Sequence, residues 1–284
     1  MAPPHWVVPP LYSPPLPSPS PCPFTSALVP DLLSAIADPS AQANTCLQRL
    51  LATEFVHVID APSLALIMPI LQQTLSLRSS EGKKMAAQIL GNMYSLTDHK
   101  DLSPYLPGVL PGLKEALLDP VPEVRGSAAR ALGAMVKGLG QEAMSDLLPW
   151  LFSMLQSEGS SVDRSGAAQG LSEVIKAQGA EHLNSVMPKF VEAVTSLETS
   201  PQVRDGYLML FIYLPLTMEG DFLPHVGPVI PCILQVSHMT CHMLPACLHK
   251  QASCDCHVTH HVPVNVNGLC RDWLMRMNLF ETQH

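Results

Sequence analysis

Residues Asp119–Gly140 read DPVPEVRGSAARALGAMVKGLG. Val124, Ala128, Leu132, Met135, Val136 and Leu139 fall at i, i+4, i+8, i+11, i+12 and i+15, which draws one apolar stripe along an α-helix. The positions between them are mostly small: Gly126, Ser127, Ala129, Gly133 and Ala134. A helix with one greasy face and little bulk elsewhere can sit close to neighbours on several sides. Asp119-Pro120 stops whatever precedes it, because proline lacks an N–H and pushes the residue before it out of the helical region. Gly138 and Gly140 mark the end.

The chain repeats this unit. Arg125 is followed by Arg164 and Arg204 at intervals of 39 and 40 residues, each opening a helix after a polar turn. Upstream, Lys83 and Lys84 open GKKMAAQILGNMYSL at the same beat. A second marker agrees: Pro30, Pro69, Pro111, Pro149, Pro188 and Pro228 are spaced by 39, 42, 38, 39 and 40, each within an apolar helical pattern. A period near 40 residues that holds two helices is the signature of a HEAT or armadillo solenoid. The fold class expected is therefore all-α, a superhelix of helix pairs.

Composition agrees. Of 284 residues, 47% are hydrophobic and only 14% charged, so the core is well supplied. Aromatic content is 5%, which points to an aliphatic, alanine-rich core of stacked helices rather than a β-sandwich. A net charge of −8 argues against a nucleic-acid-binding surface over the whole molecule, while leaving room for a local basic ridge. No run of 18 apolar residues suggests a membrane span, and the proline-crowded N-terminus lacks the basic start of a secretory signal. A cytoplasmic location is expected, with cysteines reduced.

Both ends differ from the middle. Residues 1–26 hold ten prolines and read as polyproline or disordered chain, with PPLP at 14–17 a weak match to proline-motif ligands. After Gln235 the helical beat ends, and seven of the twelve histidines and five of the eight cysteines crowd into 236–284, a second tail expected to be disordered. Between them, 27–235 accommodates about five and a half helix pairs. Leu28–Ala37 and the Ala43–Leu51 stripe form the first. Ser63–Leu75 pairs with Met85–Leu96, Leu106–Leu117 with the opening stretch, Leu147–Leu155 with Ala167–Ala177, and Leu183–Val194 with Val203–Leu214. The Phe55–Asp60 link could add a turn of its own. Prolines 111, 149 and 188 should kink their helices or sit in the first turn.

The C-terminal cluster, from Cys241 to Cys270, lacks the paired spacing of a structural zinc site: Cys254 and Cys256 are one residue apart, and no C-x2-C or C-x4-C occurs. Neither a metal nor a cofactor is expected, although a zinc-dependent regulator is one reading of this tail. No nucleophile elbow or phosphate-cradling loop is present, and GLG at 138–140 closes a helix, so neither an enzyme nor a small-molecule substrate is expected. The basic residues at helix starts carry two readings. In one, Arg125, Arg164 and Arg204 form an internal ladder, bonded to carbonyls at helix ends or to Asp119, Asp163 and Asp205, because a bare cation at a helix N-terminus opposes the dipole. In the other, Lys83, Lys84, Arg125, Arg130, Arg164 and Arg204 line a ridge that binds a partner's acidic groups or RNA phosphate.

Longer words add a resemblance. FVHVIDAPSLALIMPI, KKMAAQILGNMYSLTD, YLPGVLPGLKEALLDPVPEVRGSAARALGAMVKG, SSVDRSGAAQGLSEV and VRDGYLMLFIYLP, spread over Leu28–Gln235, resemble HEAT repeats of the general control non-derepressible one translational activator family. The first half is more distantly similar to the HEAT domain of fungal elongation factor three. The resemblance implies a non-catalytic scaffold that binds translating or stalled ribosomes. It also implies contact with ribosomal RNA, with an ATP-binding-cassette partner, and with the stress kinase complex that phosphorylates the alpha subunit of translation initiation factor two in amino-acid starvation. Here the sixth repeat departs from the family and reads QVSHMTCHML, so a partial or alternatively spliced segment of a longer chain is expected, one that does not activate the kinase alone. A general HEAT adaptor for protein partners is the alternative.

Overall fold

A computed structural model describes residues 23–53, 59–94, 96–140 and 145–242. Twelve α-helices run through them: α1 Pro23–Ala37, α2 Pro39–Ala52, α3 Ala61–Ser76, α4 Ser80–Tyr94, α5 His99–Leu102, α6 Leu106–Leu117, α7 Pro122–Leu139, α8 Leu147–Leu155, α9 Ser161–Gln178, α10 Ala180–Thr195, α11 Pro201–Met218 and α12 Val226–His242. Short 3-10 turns, Ser103–Tyr105 and Glu219–His225, lead into α6 and α12. Among the described residues there is no strand. Helices α1, α3, α6, α8, α10 and α12 form one row; α2, α4, α7, α9 and α11 form the second, and each pairs with the helix before it. This is the HEAT solenoid that the forty-residue period requires.

Local chemistry sets the helix ends. Asp38 accepts the Ala41 N–H (3.3 Å) and Asp60 the Ser63 N–H (3.3 Å), while Ser160 and Ser200 cap α9 and α11 through Val162 and Val203. Gly140 and Gly179, at φ of 79° and 91°, close α7 and α9 in the left-handed region, and their N–H groups return to Val136 and Ile175 carbonyls at 3.0 Å. The six periodic prolines all lie on the exposed side of the first row. Pro149 and Pro228 are third residues, where no N–H is needed, whereas Pro30, Pro69, Pro111 and Pro188 lie inside their helices. The carbonyls that Pro69, Pro111 and Pro188 leave without a helical partner belong to exposed residues, Ala65, Pro107 and Asn184.

The stripes pack as one continuous aliphatic core, with Leu64, Leu90, Leu113, Leu132, Leu171 and Leu210 at 0–1% exposure. The two rows pack differently. In the second row, helices meet through glycine and alanine: a Cβ on Gly91 of α4 would lie 3.4 Å from the Ala131 Cα in α7, and one on Gly133 would lie 3.0 Å from the Glu173 carbonyl oxygen in α9. In the first row α3 and α6 also meet at glycines, Gly108 and Gly112 of α6 facing Gln72 and Leu75, but further along the contacts run through long side chains: Lys114 Nζ stands 4.9 Å from the Trp150 ring centre, and the Phe152 and Phe190 rings are 6.3 Å apart. Where contacts are thin on one side and thick on the other, a double row must curve, and the thin row lies inside.

Three details differ from the sequence reading. Helix α1 starts at Pro23, inside the proline-rich stretch, because proline is well placed at a first helical position. Helix α12 runs to His242, past Gln235, because no proline or glycine interrupts Val236–His242. Helix α5 was not legible, being one turn long; it forms where Asp98 accepts the Lys100 N–H through its carboxylate and the Leu102 N–H through its carbonyl. The proline tail before residue 23, most of the Phe55–Asp60 link and the Cys/His cluster beyond His242 lie outside the described residues. No described helix is long and apolar enough to cross a membrane.

Candidate partner-binding site

The periodic basic residue is the fourth of its helix in four successive inner helices: Lys83 in α4, Arg125 in α7, Arg164 in α9 and Arg204 in α11. Its side chain does not stay at that N-terminus. Arg125 Nη1 donates to the carbonyls of Asp119 (2.9 Å) and Pro120 (3.0 Å). Arg164 Nη1 donates to Ser157 and Gly159, both at 3.1 Å, and Arg204 Nη2 to Ser196 (2.7 Å) and Thr199 (3.1 Å). These carbonyls belong to the turn after the outer helix of the same pair. The charge leaves the positive end of one helix for the negative end of its antiparallel partner, where the dipole favours a cation.

A glycine from the next repeat completes each joint. A Cβ on Gly166 of α9 would lie 1.9 Å from the Leu117 carbonyl oxygen and 3.4 Å from Arg125 Cδ. One on Gly206 of α11 would lie 2.1 Å from the Leu155 carbonyl oxygen and 3.4 Å from Arg164 Cδ. Bare backbone therefore seals the arginine stem and the end of the outer helix together. Carboxylates add cross-repeat bonds. Asp205 Oδ2 accepts from Arg164 Nε (3.2 Å) and Nη2 (3.0 Å), and Lys83 Nζ reaches Glu115 (2.9 Å) and Asp119 (3.9 Å). Burial raises the Asp205 carboxyl, and the Arg164 hydrogen bonds and charge oppose this. Of the three aspartates read as ladder partners, Asp163 makes no ion pair with Arg164, whose carboxylate partner is the aspartate of the following repeat.

The six basic residues thus divide. Lys83, Arg125 and Arg164 are buried, and Arg204 is half-buried over its carbonyls. Lys84 is half-buried with Glu81 at 3.9 Å, and Arg130 is exposed, donating to Ser127 Oγ at 3.3 Å. Arg130 is the ninth residue of α7, and its counterparts are Gln88, Gln169 and Met209; the thirteenth positions are Asn92, Ala134, Glu173 and Tyr213. These rows run along the crest of the inner surface, where Arg130 and Asn92 are exposed, Gln88, Gln169, Ala134, Glu173 and Tyr213 half-buried, and Met209 buried. The alanines and glycines beside them leave a cavity of about 390 Å³ between α2, α4 and α7, bordered by Leu51, Gln88, Gly91, Ser127, Arg130 and Ala134. Sequence reasoning missed Gln88, Gln169 and the two joint glycines; a fixed offset from the periodic basic residue would have found them.

Glu173 faces this crest. Burial holds its carboxyl above the usual range, although Lys176 and Arg130 pull it down. A folded-state pKa above the unfolded one means stability that is fully present below the unfolded value and lost as pH rises through the folded one. Glu173→Gln, with no proton to lose, should melt above the parent at neutral pH and level with it in acid below the carboxylate range. A variant that melts lower at neutral pH would mean that the two cations outweigh burial.

Residues 41–146 match the elongation factor 3/GNC1 HEAT repeat model and residues 122–174 the HEAT-like repeat model. The stalled ribosome sensor GCN1 of Mus musculus is 61% identical over 209 residues, 74% of this chain. The chain belongs to the elongation factor 3/GNC1 HEAT-repeat family. Within it, the eIF-2-alpha kinase activator GCN1 of Saccharomyces cerevisiae is 42% identical over 212 residues, 75% of the chain. The chain spans 8% of the length of either GCN1 relative. The crystal structure of Kap121p bound to Nup53p matches over 75% of this chain and 21% of that one, with a TM-score of 0.50 and 20% identity, a likeness of fold alone. For this GCN1-like segment the family supplies the solenoid, and the inner crest supplies the candidate surface.

Proposed function

We propose that this chain is a non-catalytic scaffold segment of the translational control machinery, working on ribosomes in the cytoplasm. The observation that carries this is the 61% identity, sustained over 209 residues, to a protein named as a stalled ribosome sensor. A yeast relative is named as an activator of the eIF-2-alpha kinase, and a role in that starvation response, with its ATP-binding-cassette and kinase partners, belongs to the same reading. Of the six basic residues, Lys84 and Arg130 are the two whose charge reaches the surface without being spent on helix-end carbonyls or buried ion pairs, so they are assigned the contact with the ribosome.

The test is sedimentation of the purified chain with ribosomes through a sucrose cushion at low and moderate salt. Binding at low salt should weaken as salt rises, because each phosphate contact releases counterions. Lys84→Ala with Arg130→Ala should lower the bound fraction several-fold and leave the thermal midpoint unchanged. Chain that stays in the supernatant at low salt overturns the ribosome assignment.

A further inference from the structure

We infer that the inner crest at Gly126 is a docking site for an extended peptide segment that carries an acidic side chain. Three groups from two helices converge there. Gly126 has no side chain, and a Cβ on it would lie 3.6 Å from Arg130 Nη1 and 3.9 Å from Gln169 Oε1. Arg130 is exposed, its described bond is the one to Ser127 Oγ, and no carboxylate among the described residues lies within ion-pair distance of it. Gln169 Oε1 is shielded from water and accepts no hydrogen bond among the described residues. A buried amide oxygen without a donor is uncommon and calls for one.

The two groups specify complementary chemistry. A guanidinium takes a carboxylate, and an orphan amide oxygen takes a main-chain N–H. One residue of an extended chain offers both when it is acidic. The space above Gly126 is kept open by the missing Cβ, and beside it the cavity runs over Gly91 and Ala134 toward Leu51, with Gln88 at its edge to pair with a further peptide group. About 390 Å³ is on the scale of a specific pocket and suits a few residues. RNA fits less well: Arg130 is the one charged residue lining the cavity, and a phosphate backbone needs a run of cations. This inference concerns Arg130 as a partner residue and does not depend on the ribosome assignment.

The test uses three pools of seven-residue peptides, random except for a central glutamate, glutamine or lysine, selected on the immobilised full chain, with a single-stranded RNA oligonucleotide as a fourth probe. Peptides with central glutamate should be recovered at least tenfold over those with glutamine, and lysine should be excluded. Arg130→Ala should abolish the preference, and Arg130→Glu should transfer it to the lysine pool. Gly126→Ala separates binding from folding. Its methyl has room at 3.6 Å and replaces a glycine inside a helix, so the thermal midpoint should hold or rise while peptide recovery falls. Equal recovery from all three pools, recovery untouched by Gly126→Ala, or retention of the oligonucleotide in preference to peptide overturns the proposal. Ribosome sedimentation can fail without affecting these outcomes.

Discussion

Gly166→Val is expected to break the joint between the third and fourth repeats, at a cost of about 3 kcal/mol or more. Its Cβ would fall 1.9 Å from the carbonyl oxygen of Leu117, and that obstacle is backbone at the end of a packed helix, so no rotamer change relieves it. Either α9 moves away from α6 or the end of α6 unwinds, and both expose the Arg125 stem. Stability in a solenoid is a sum of repeat and interface terms, so the loss should appear as early melting of the neighbouring repeats. Urea unfolding followed by hydrogen exchange would locate it: amides of α6, α7 and α9 should lose protection together. Gly227→Ala is the control, because a Cβ there meets nothing within 4 Å, and it should be neutral or slightly stabilising. Similar losses at the two glycines would mean that the approach at Gly166 is not what holds the joint.

Arg164→Ala should cost about 3–5 kcal/mol. The side chain is 3% exposed and bonds two turn carbonyls as well as the Asp205 carboxylate. Its removal strands those carbonyls and leaves a carboxylate, already disfavoured by burial, without its cation. Much of the loss is therefore the penalty of the abandoned partner, not the worth of the pair. Arg164→Ala combined with Asp205→Ala should cost clearly less than the two single losses added together, as coupled residues require. Additive losses in denaturant unfolding would show that the arginine acts on the carbonyls alone. Below the carboxylate range, where Asp205 is protonated, the single variant should recover part of its deficit.

Much of the fold was written locally. The proline and arginine beats, the stripe from Val124 to Leu139 and the closing glycines each state a helix, its face and its end within about twenty residues. The destination of the arginines was written only in part: helix-end carbonyls were one of two readings, and the carboxylate that Arg164 takes was not legible. Arg164 finds a carboxylate 41 positions on, at Asp205, and ignores its neighbour Asp163, because the antiparallel pair carries a fourth-position side chain to the far helix's end. The glycines at 166 and 206 carry no signal in the sequence until the Leu117 and Leu155 carbonyls are placed against them. The candidate surface was legible only in part. Arg130 was chosen for its charge, but Gly126 and Gln169 acquire meaning only when α7 and α9 lie side by side. Four of six chosen basic residues are engaged in the fold, since charge in a sequence does not reveal whether a helix end is waiting for it.

The unequal rows have a mechanical consequence. Inner helices come close to one another's backbone at Gly91 and Gly133, whereas outer ones meet through side chains such as Lys114, Trp150 and Phe190, which can change rotamer. Such a body bends like a book along its spine. The pages fan open or close on the convex side, and the binding edge hardly changes length. Spacing on the inner crest is then a fixed gauge, and curvature is the soft coordinate. An array of these repeats can wrap partners of differing radius while presenting the same local geometry at every inner contact.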